Sequence, residues 1–346
     1  MAGFVWKRAH TIAAVSTAVV LAGVGTAVAV GGGDDAGTVP PPVVATSASG
    51  SPSTTVTPSA APSTPRPDPI NPLTGKRPTD HKVMAVKVEN IAAARPQVGL
   101  NSADIVFAEE VEGSLTRLIA VYHTTFPKQV GPVRSARNTD VGLLPVFGEP
   151  GLVYSGANRK VQANIQDSPI VPLQRSDRDG SRVAPHNVFV NLASVADKAE
   201  KVGPARDIGW TFAAEDARWA DATKDATASG RVGGDTFSFH ASDGRYVVRW
   251  NGQPYADGET GKNATTDNVV VMSVKNKPDG NADVNGARSV KSVTTGKGDV
   301  VIYRDGRRVN GTWRRAGETK PMRFVDAGGK DIPLEPGRTW VLLSGS

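Results

Sequence analysis

Among the side chains of this 346-residue chain that could hold an anion or move a proton, seven fall in one candidate group: Asp104, Glu110, Glu112, Arg117, Arg134, Arg137 and His186. The arginines carry planar donor forks that match a carboxylate or phosphate bidentately. Glu110 and Glu112 are two residues apart, so on a strand they point the same way, about 6.8 Å apart. Such a pair could serve as acid and base in cleaving a glycoside. Arg117, read as facing Glu110 across a hairpin, favours an ionised and structural Glu110 instead. Arg134 and Arg137 fall in the first turn of an expected helix, where the dipole disfavours a cation by roughly 0.3–1 kcal/mol. Something negative must compensate them: Glu110, Glu112, or an anionic ligand using free helix N–H groups.

The elements that must position these groups are a hairpin and the basic turn after it. Two apolar runs, residues 105–111 and 115–122, flank Gly113-Ser114. Glycine first in a two-residue loop suits a type II′ turn. That register pairs Glu112 with Leu115, Glu110 with Arg117, Ala108 with Ile119 and Asp104 with His123. One face then carries Ile105, Phe107, Val111, Leu118, Ala120 and Tyr122, with Glu109 and Thr116 among them. The other carries Asp104, Glu110, Glu112, Arg117 and His123. Beyond it, Gly131-Pro132 breaks the strand, Ser135 is read as an N-cap, and residues 136–144 as a short helix ended by Pro145. Arg159 and Lys160, opening a further helix, extend the basic side or lie in solvent.

Composition removes several chemistries. The chain has no cysteine, which excludes disulfides, thiolate metal sites and a lipid-modified N-terminal cysteine. Its five histidines show no paired metal-binding spacing, so no metal or other cofactor is expected. No G-x-S-x-G elbow supports a serine nucleophile. The formal charge of +6 includes Lys7 and Arg8, which precede an apolar stretch. No dense basic stripe with interleaved aromatics follows, so no nucleic acid partner is expected.

Along the chain, residues 1–30 read as a signal peptide or N-terminal membrane anchor. A basic start precedes the uncharged residues 11–30, about the length that spans a bilayer core. Ala27-Val28-Ala29 offers a cleavage site. Residues 31–69, rich in proline, serine and threonine, read as a disordered tether. A mixed α/β domain is expected over 70–215, with strands at 83–88 and 152–154 and helices at 158–166 and 192–202. Residues 216–235 read as a linker. From 236 to 346, short runs punctuated by Asp243-Gly244, Asn251-Gly252, Asp305-Gly306 and Asn310-Gly311 predict a mainly antiparallel β domain. Trp250, Trp313 and Trp340 belong to its expected core. The expected fold class is α+β.

Several motifs stand in a recognisable order: Asn71-Pro72-Leu73-Thr74-Gly75, residues 94–100 (ARPQVGL), 103–106 (ADIV), Glu112-Gly113 with Thr116-Arg117, 131–137 (GPVRSAR), 184–187 (APHN), 268–271 (NVVV), Lys297-Gly298 and 334–340 (LEPGRTW). Together they resemble the YerB-like family of bacterial cell-envelope proteins. The resemblance implies an extracytoplasmic, membrane-associated protein of two domains and no established reaction. Tyr154-Ser155-Gly156-Ala157 departs from the histidine-containing motif the family leads one to look for there.

The resulting expectation is a membrane-tethered or secreted envelope protein that binds an anionic cell-wall component or an envelope protein through Arg117, Arg134 and Arg137, with His186 nearby. A wall-polymer hydrolase using Glu110 or Glu112 is one alternative, and a purely structural scaffold another. The sequence leaves the oligomeric state open.

Overall fold

The computed structural model describes residues 69–282 and 286–345. The expected leader and nearly all of the expected tether lie outside the described residues. The first five strands are β1 (Met84–Glu89), β2 (Ile105–Glu110), β3 (Thr116–Tyr122), β4 (Gly151–Tyr154) and β5 (Val171–Gln174). Between and after them come α1 (Asn138–Leu143), α2 (Arg159–Gln166), α3 (Leu192–Lys198) and α4 (Ala217–Ala220). The remaining strands are β6 (Thr223–Lys224), β7 (Thr227–Val232), β8 (Asp235–Ser242), β9 (Arg245–Trp250), β10 (Gln253–Pro254) and β11 (Thr265–Thr266). They continue with β12 (Asn268–Ala282), β13 (Arg288–Val293), β14 (Gly296–Arg304), β15 (Arg307–Arg315), β16 (Met322–Val325) and β17 (Thr339–Gly345).

One 12-stranded sheet runs β16-β15-β14-β12-β17-β2-β3-β1-β4-β5, with β13 and β6 paired to β12 and β15. Its seam is the parallel pairing of β17 with β2, Thr339 against Ile105 through Leu342 against Ala108. A second sheet, β10-β9-β8-β7 with β11 on β9, packs over it. The fold class is α+β, with a mixed sheet in the first half and mostly antiparallel pairing in the second. The segment read as a linker, 216–235, carries α4, β6 and β7, and buries Trp219, Ala228 and Val232.

The central strands are buried on both faces. Ile105, Phe107, Ile119 and Val121 pack under Leu143, Phe147, Val161 and Ile165 on one side. Val106, Ala108, Leu118, Ala120 and Tyr122 meet Val195, Phe237, Phe239 and Trp340 on the other. Covering both faces explains why β1 and β2 read as nearly unbroken apolar runs. Lys87, in the middle of one such run, is fully buried with them. Trp313 and Trp340 are core; Trp250 is half-buried and stacks on the Arg95 guanidinium at 4.1 Å.

Two local expectations need correction. The β2–β3 hairpin pairs Glu109 with Arg117 and Glu110 with Thr116, one residue out from the expected register. Its loop holds three residues, because Gly113 (φ 65°) and Ser114 (φ 58°) are both left-handed and the Val111 N–H donates to the Leu115 carbonyl. Alternation makes a one-residue slip exchange faces. Leu118, Ala120 and Tyr122 therefore leave the side of Ile105 and Phe107, and Arg117 joins it. The second correction concerns α1, which starts at Asn138 with Arg137 extended at its N-cap. Ser135 caps nothing. The backbone of 130–136 is already committed as an extended strap: Val133 N–H to Val188 carbonyl, Arg134 N–H to Lys87 carbonyl and Ala136 N–H to Gly156 carbonyl. Those bonds hold the chain straight for one further turn.

Candidate functional site

The strap between β3 and α1 lies across the ends of β1 and the hairpin, and it sets Arg134, Ser135 and Arg137 beside the loop that carries Glu112. The result is a cleft of about 500 Å3 walled by Glu112, Arg117, Arg134 and Arg137. Ser135, Asn158 and Ser289 add neutral polar groups. Glu112 is nearly fully buried, and both of its oxygens are used. Oε1 accepts from Arg117 Nη2 at 2.8 Å and from Arg137 Nη2, while Oε2 accepts from Arg137 Nε at 2.7 Å. Burial works against its ionisation, yet the Arg137 hydrogen bond and the charges of Arg117 and Arg137 outweigh it, holding the carboxyl at about 2. Arg117 also donates to the Ser135 carbonyl at 2.9 Å. Its own burial, with Arg137 alongside, lowers its guanidinium to about 10.

Arg134 is bound differently. It reaches Glu89 with Nε at 3.2 Å from Oε1, and its Nη1 lies 3.4 Å from the Pro185 carbonyl. The Nε forms no well-aligned hydrogen bond, and a quarter of the side chain is exposed. Glu89 spends its other oxygen on His186, with Oε2 at 2.8 Å from Nδ1. His186 thus joins the arginine group through Glu89 and behind Arg134.

The remaining candidates go elsewhere. Glu110 is half-buried and accepts from Asn276 at 2.7 Å, away from the arginines. It and Glu112 do not share a cavity, and Glu112 stays ionised, so it holds no proton to donate at neutral pH. Asp104 sits at the opposite end of the hairpin. There it accepts from the backbone N–H groups of His123 and Thr124 at 2.6 and 2.8 Å, and from the Thr124 hydroxyl at 2.5 Å. Burial nevertheless raises its pKa. His123 is paired with Asp104 only through its backbone. Arg159 and Lys160 are exposed at the start of α2, where Asn158 caps the helix by accepting from Val161 N–H.

Three groups beneath the site were not singled out from the sequence. Lys87 Nζ bonds Glu109 Oε1 and lies 2.7 Å from Asp140 Oδ1, all three fully buried. Burial raises the Glu109 pKa, with Lys87 opposing and Asp140 adding to it. The other Asp140 oxygen accepts the Arg137 backbone N–H at 2.6 Å, which ties this triad to the cleft wall. The available signal is a lysine inside one apolar strand run and an acid, Glu109, inside another. No cluster of three metal-ligating side chains occurs among the described residues, and no described helix is long and apolar enough to cross a membrane.

Comparison with known proteins places this geometry in context. A family model described as a protein of unknown function (DUF3048) N-terminal domain matches residues 73–205. Its C-terminal counterpart matches residues 224–341. A curated relative, "Putative lipoprotein YerB" of Bacillus subtilis (strain 168), is 27% identical over 289 residues, covering 78% of this chain and 84% of that protein. The crystal structure of the YerB protein from Bacillus subtilis superposes with a TM-score of 0.66 at 23% identity, covering 80% of this chain and 97% of the other, a likeness of fold. With both of its domains matched in order and the fold shared, the chain belongs to the DUF3048 family, whose two domains are described as of unknown function.

Proposed function

We propose that the protein works outside the cytoplasmic membrane, in the cell envelope, and binds an anionic group of a wall component or partner protein in the arginine-walled cleft. The observation that carries the reading is the imbalance of charge on that wall: Arg117, Arg134 and Arg137 line it with one carboxylate, Glu112, while Glu89 behind Arg134 is shared with His186. Arg117 and Arg137 share Glu112 between them, and Arg134 is the guanidinium with the weakest internal bonds. An anion seated against Arg134 would gain charge-assisted hydrogen bonds at little cost to the existing network. The envelope location is supported by the basic start, the apolar stretch and the Ala27-Val28-Ala29 site, and by the name of the relative, that of a lipoprotein. Lacking cysteine, this chain would be held by the apolar segment itself.

Titration calorimetry with sulfate and inorganic phosphate, at constant ionic strength, tests the reading. Arg134→Ala should weaken binding about tenfold or more, from loss of bonds worth about 1.5–3 kcal/mol each. It should leave the urea midpoint close to that of the parent. A second reading, a scaffold without a ligand, is favoured by the full use of both Glu112 oxygens. It requires that neither anion binds and that Arg134→Ala changes nothing.

A further inference from the structure

A second polar cleft, of about 530 Å3, opens at the far end of the hairpin beside Asp104. Its walls come from both matched segments: Thr74, Lys76 and Asn101 from the first, Arg245, Asp267 and Arg338 from the second. Ligand sites favour such junctions. A neighbouring cleft of about 450 Å3 shares Asn101, Arg245 and Arg338 and adds Lys262 and Thr260, so the two form one groove.

The groove is built around an arginine without a carboxylate of its own. The Arg338 guanidinium donates to the Asn101 carbonyl and, at 2.7 Å, to the Thr265 hydroxyl, both neutral acceptors. Asp267, a carboxylate of the lining, is occupied: it pairs with Arg245 at 3.0 Å and accepts the Arg338 backbone N–H at 2.7 Å. Gly337 makes that approach possible, because a Cβ there would stand 2.3 Å from Asp267. Asp104 is saturated by the three bonds from His123 and Thr124. Burial lowers the Arg338 guanidinium to about 10, and Arg245 next to it adds repulsion. Lys76 and Lys262 stand exposed as further lining cations. The lining holds four cations against two occupied carboxylates, with Asp257 buried behind it on the Asn101 backbone N–H, and the remaining lining is mostly hydroxyl.

We propose that this groove is a second binding site, distinct from the arginine-walled cleft, for an extended chain carrying phosphate or carboxylate groups among hydroxyls. Anionic groups would bridge Arg245 and Arg338, with neighbouring groups reaching Lys76 and Lys262. Threonine and asparagine side chains would take the hydroxyls.

Calorimetry with inorganic triphosphate, trigalacturonate and inorganic phosphate, at constant ionic strength, tests this on the folded chain. An extended probe should bind with lower Kd than inorganic phosphate, and which one wins separates a phosphate chain from a carboxylate chain. Arg245→Gln should raise that Kd about tenfold or more. The surface double variant K76A/K262A, which disturbs no internal bond of the groove, should raise it severalfold. Arg134→Ala should leave it unchanged, so failure here and failure of the first cleft read separately. Hydrogen exchange should slow at 99–104 and 260–267 on binding. The proposal is overturned if neither extended probe binds, if K76A/K262A and Arg245→Gln both bind as the parent does, or if Arg134→Ala alone removes binding.

Discussion

Replacing Glu112 by glutamine keeps the shape of the side chain and removes the one charge that Arg117 and Arg137 share. The magnitude follows from the carboxyl itself. Its displacement from an ordinary 4.5 to about 2 corresponds to about 3 kcal/mol in favour of the charged form, at about 1.4 kcal/mol per decade. The folded value lies below the unfolded one, so this stability is complete above about 4.5 and is lost as the pH falls toward about 2. Glu112→Gln should therefore lower the urea midpoint at pH 7 by about 1 M, taking m near 3 kcal/mol/M. The deficit should stay constant down to pH 5 and shrink by pH 3. Tryptophan fluorescence melts at those three values measure it. Sulfate should stabilise the variant more than the parent, because Arg117 and Arg137 then line the cleft without their shared counter-charge. Equal midpoints at pH 7, or a deficit undiminished at pH 3, would refute the claim that this carboxylate's charge holds the cleft wall together.

Lys87→Met should cost about 3–5 kcal/mol, because it strands the buried Glu109 and Asp140 carboxylates. The double variant with Glu109→Gln should recover part of that in the same urea assay, and a neutral single substitution would rule the triad out as a source of stability. Gly337→Ala should destabilise by about 1–3 kcal/mol through overlap with Asp267; a melting temperature equal to the parent's would show that the turn yields. A reporter fused after Ser346 should be active only outside the cytoplasmic membrane; activity confined to the cytoplasm would remove the envelope from the proposed function.

Local pattern determines structure where short-range chemistry sets the outcome. The strand expected at 83–88 forms at 84–89, because valine and alanine fill both of its buried faces. The helices expected at 158–166 and 192–202 form at 159–166 and 192–198, each opened by an asparagine that accepts an N–H three residues on. Asp243-Gly244, Asn251-Gly252 and Asp305-Gly306 turn antiparallel strands, with Asp243, Asn251 and Asp305 all left-handed, whereas Asn310-Gly311, expected as a turn, lies inside β15 paired with Val301 and Val300. The sequence also points to Arg117, Arg134 and Arg137 as a group, and the fold joins them by running the strap back along β1, from the open end of the hairpin toward its loop, with the Arg134 N–H on the Lys87 carbonyl.

What the sequence could not settle were choices between near-equal local alternatives and contacts between distant segments. Gly113-Ser114 suits a two-residue loop as well as a three-residue one. Tertiary pairing decided it, because β17 and β1 flank β2 and β3 in one register only, and that choice moved Arg117 from Glu110 to Glu109. Ser135 is a good N-cap in isolation, but bonds to Lys87, Gly156 and Val188 from three other parts of the fold kept its neighbourhood extended. Glu89 and Lys87 read as the tail of a strand; only the fold brings His186 to the first and Asp140 to the second. The groove at Arg338 is the plainest case. Two of its wall residues, Asn101 and Arg338, are bonded across 237 residues of chain. No local pattern announces a charge whose partners are supplied entirely by packing.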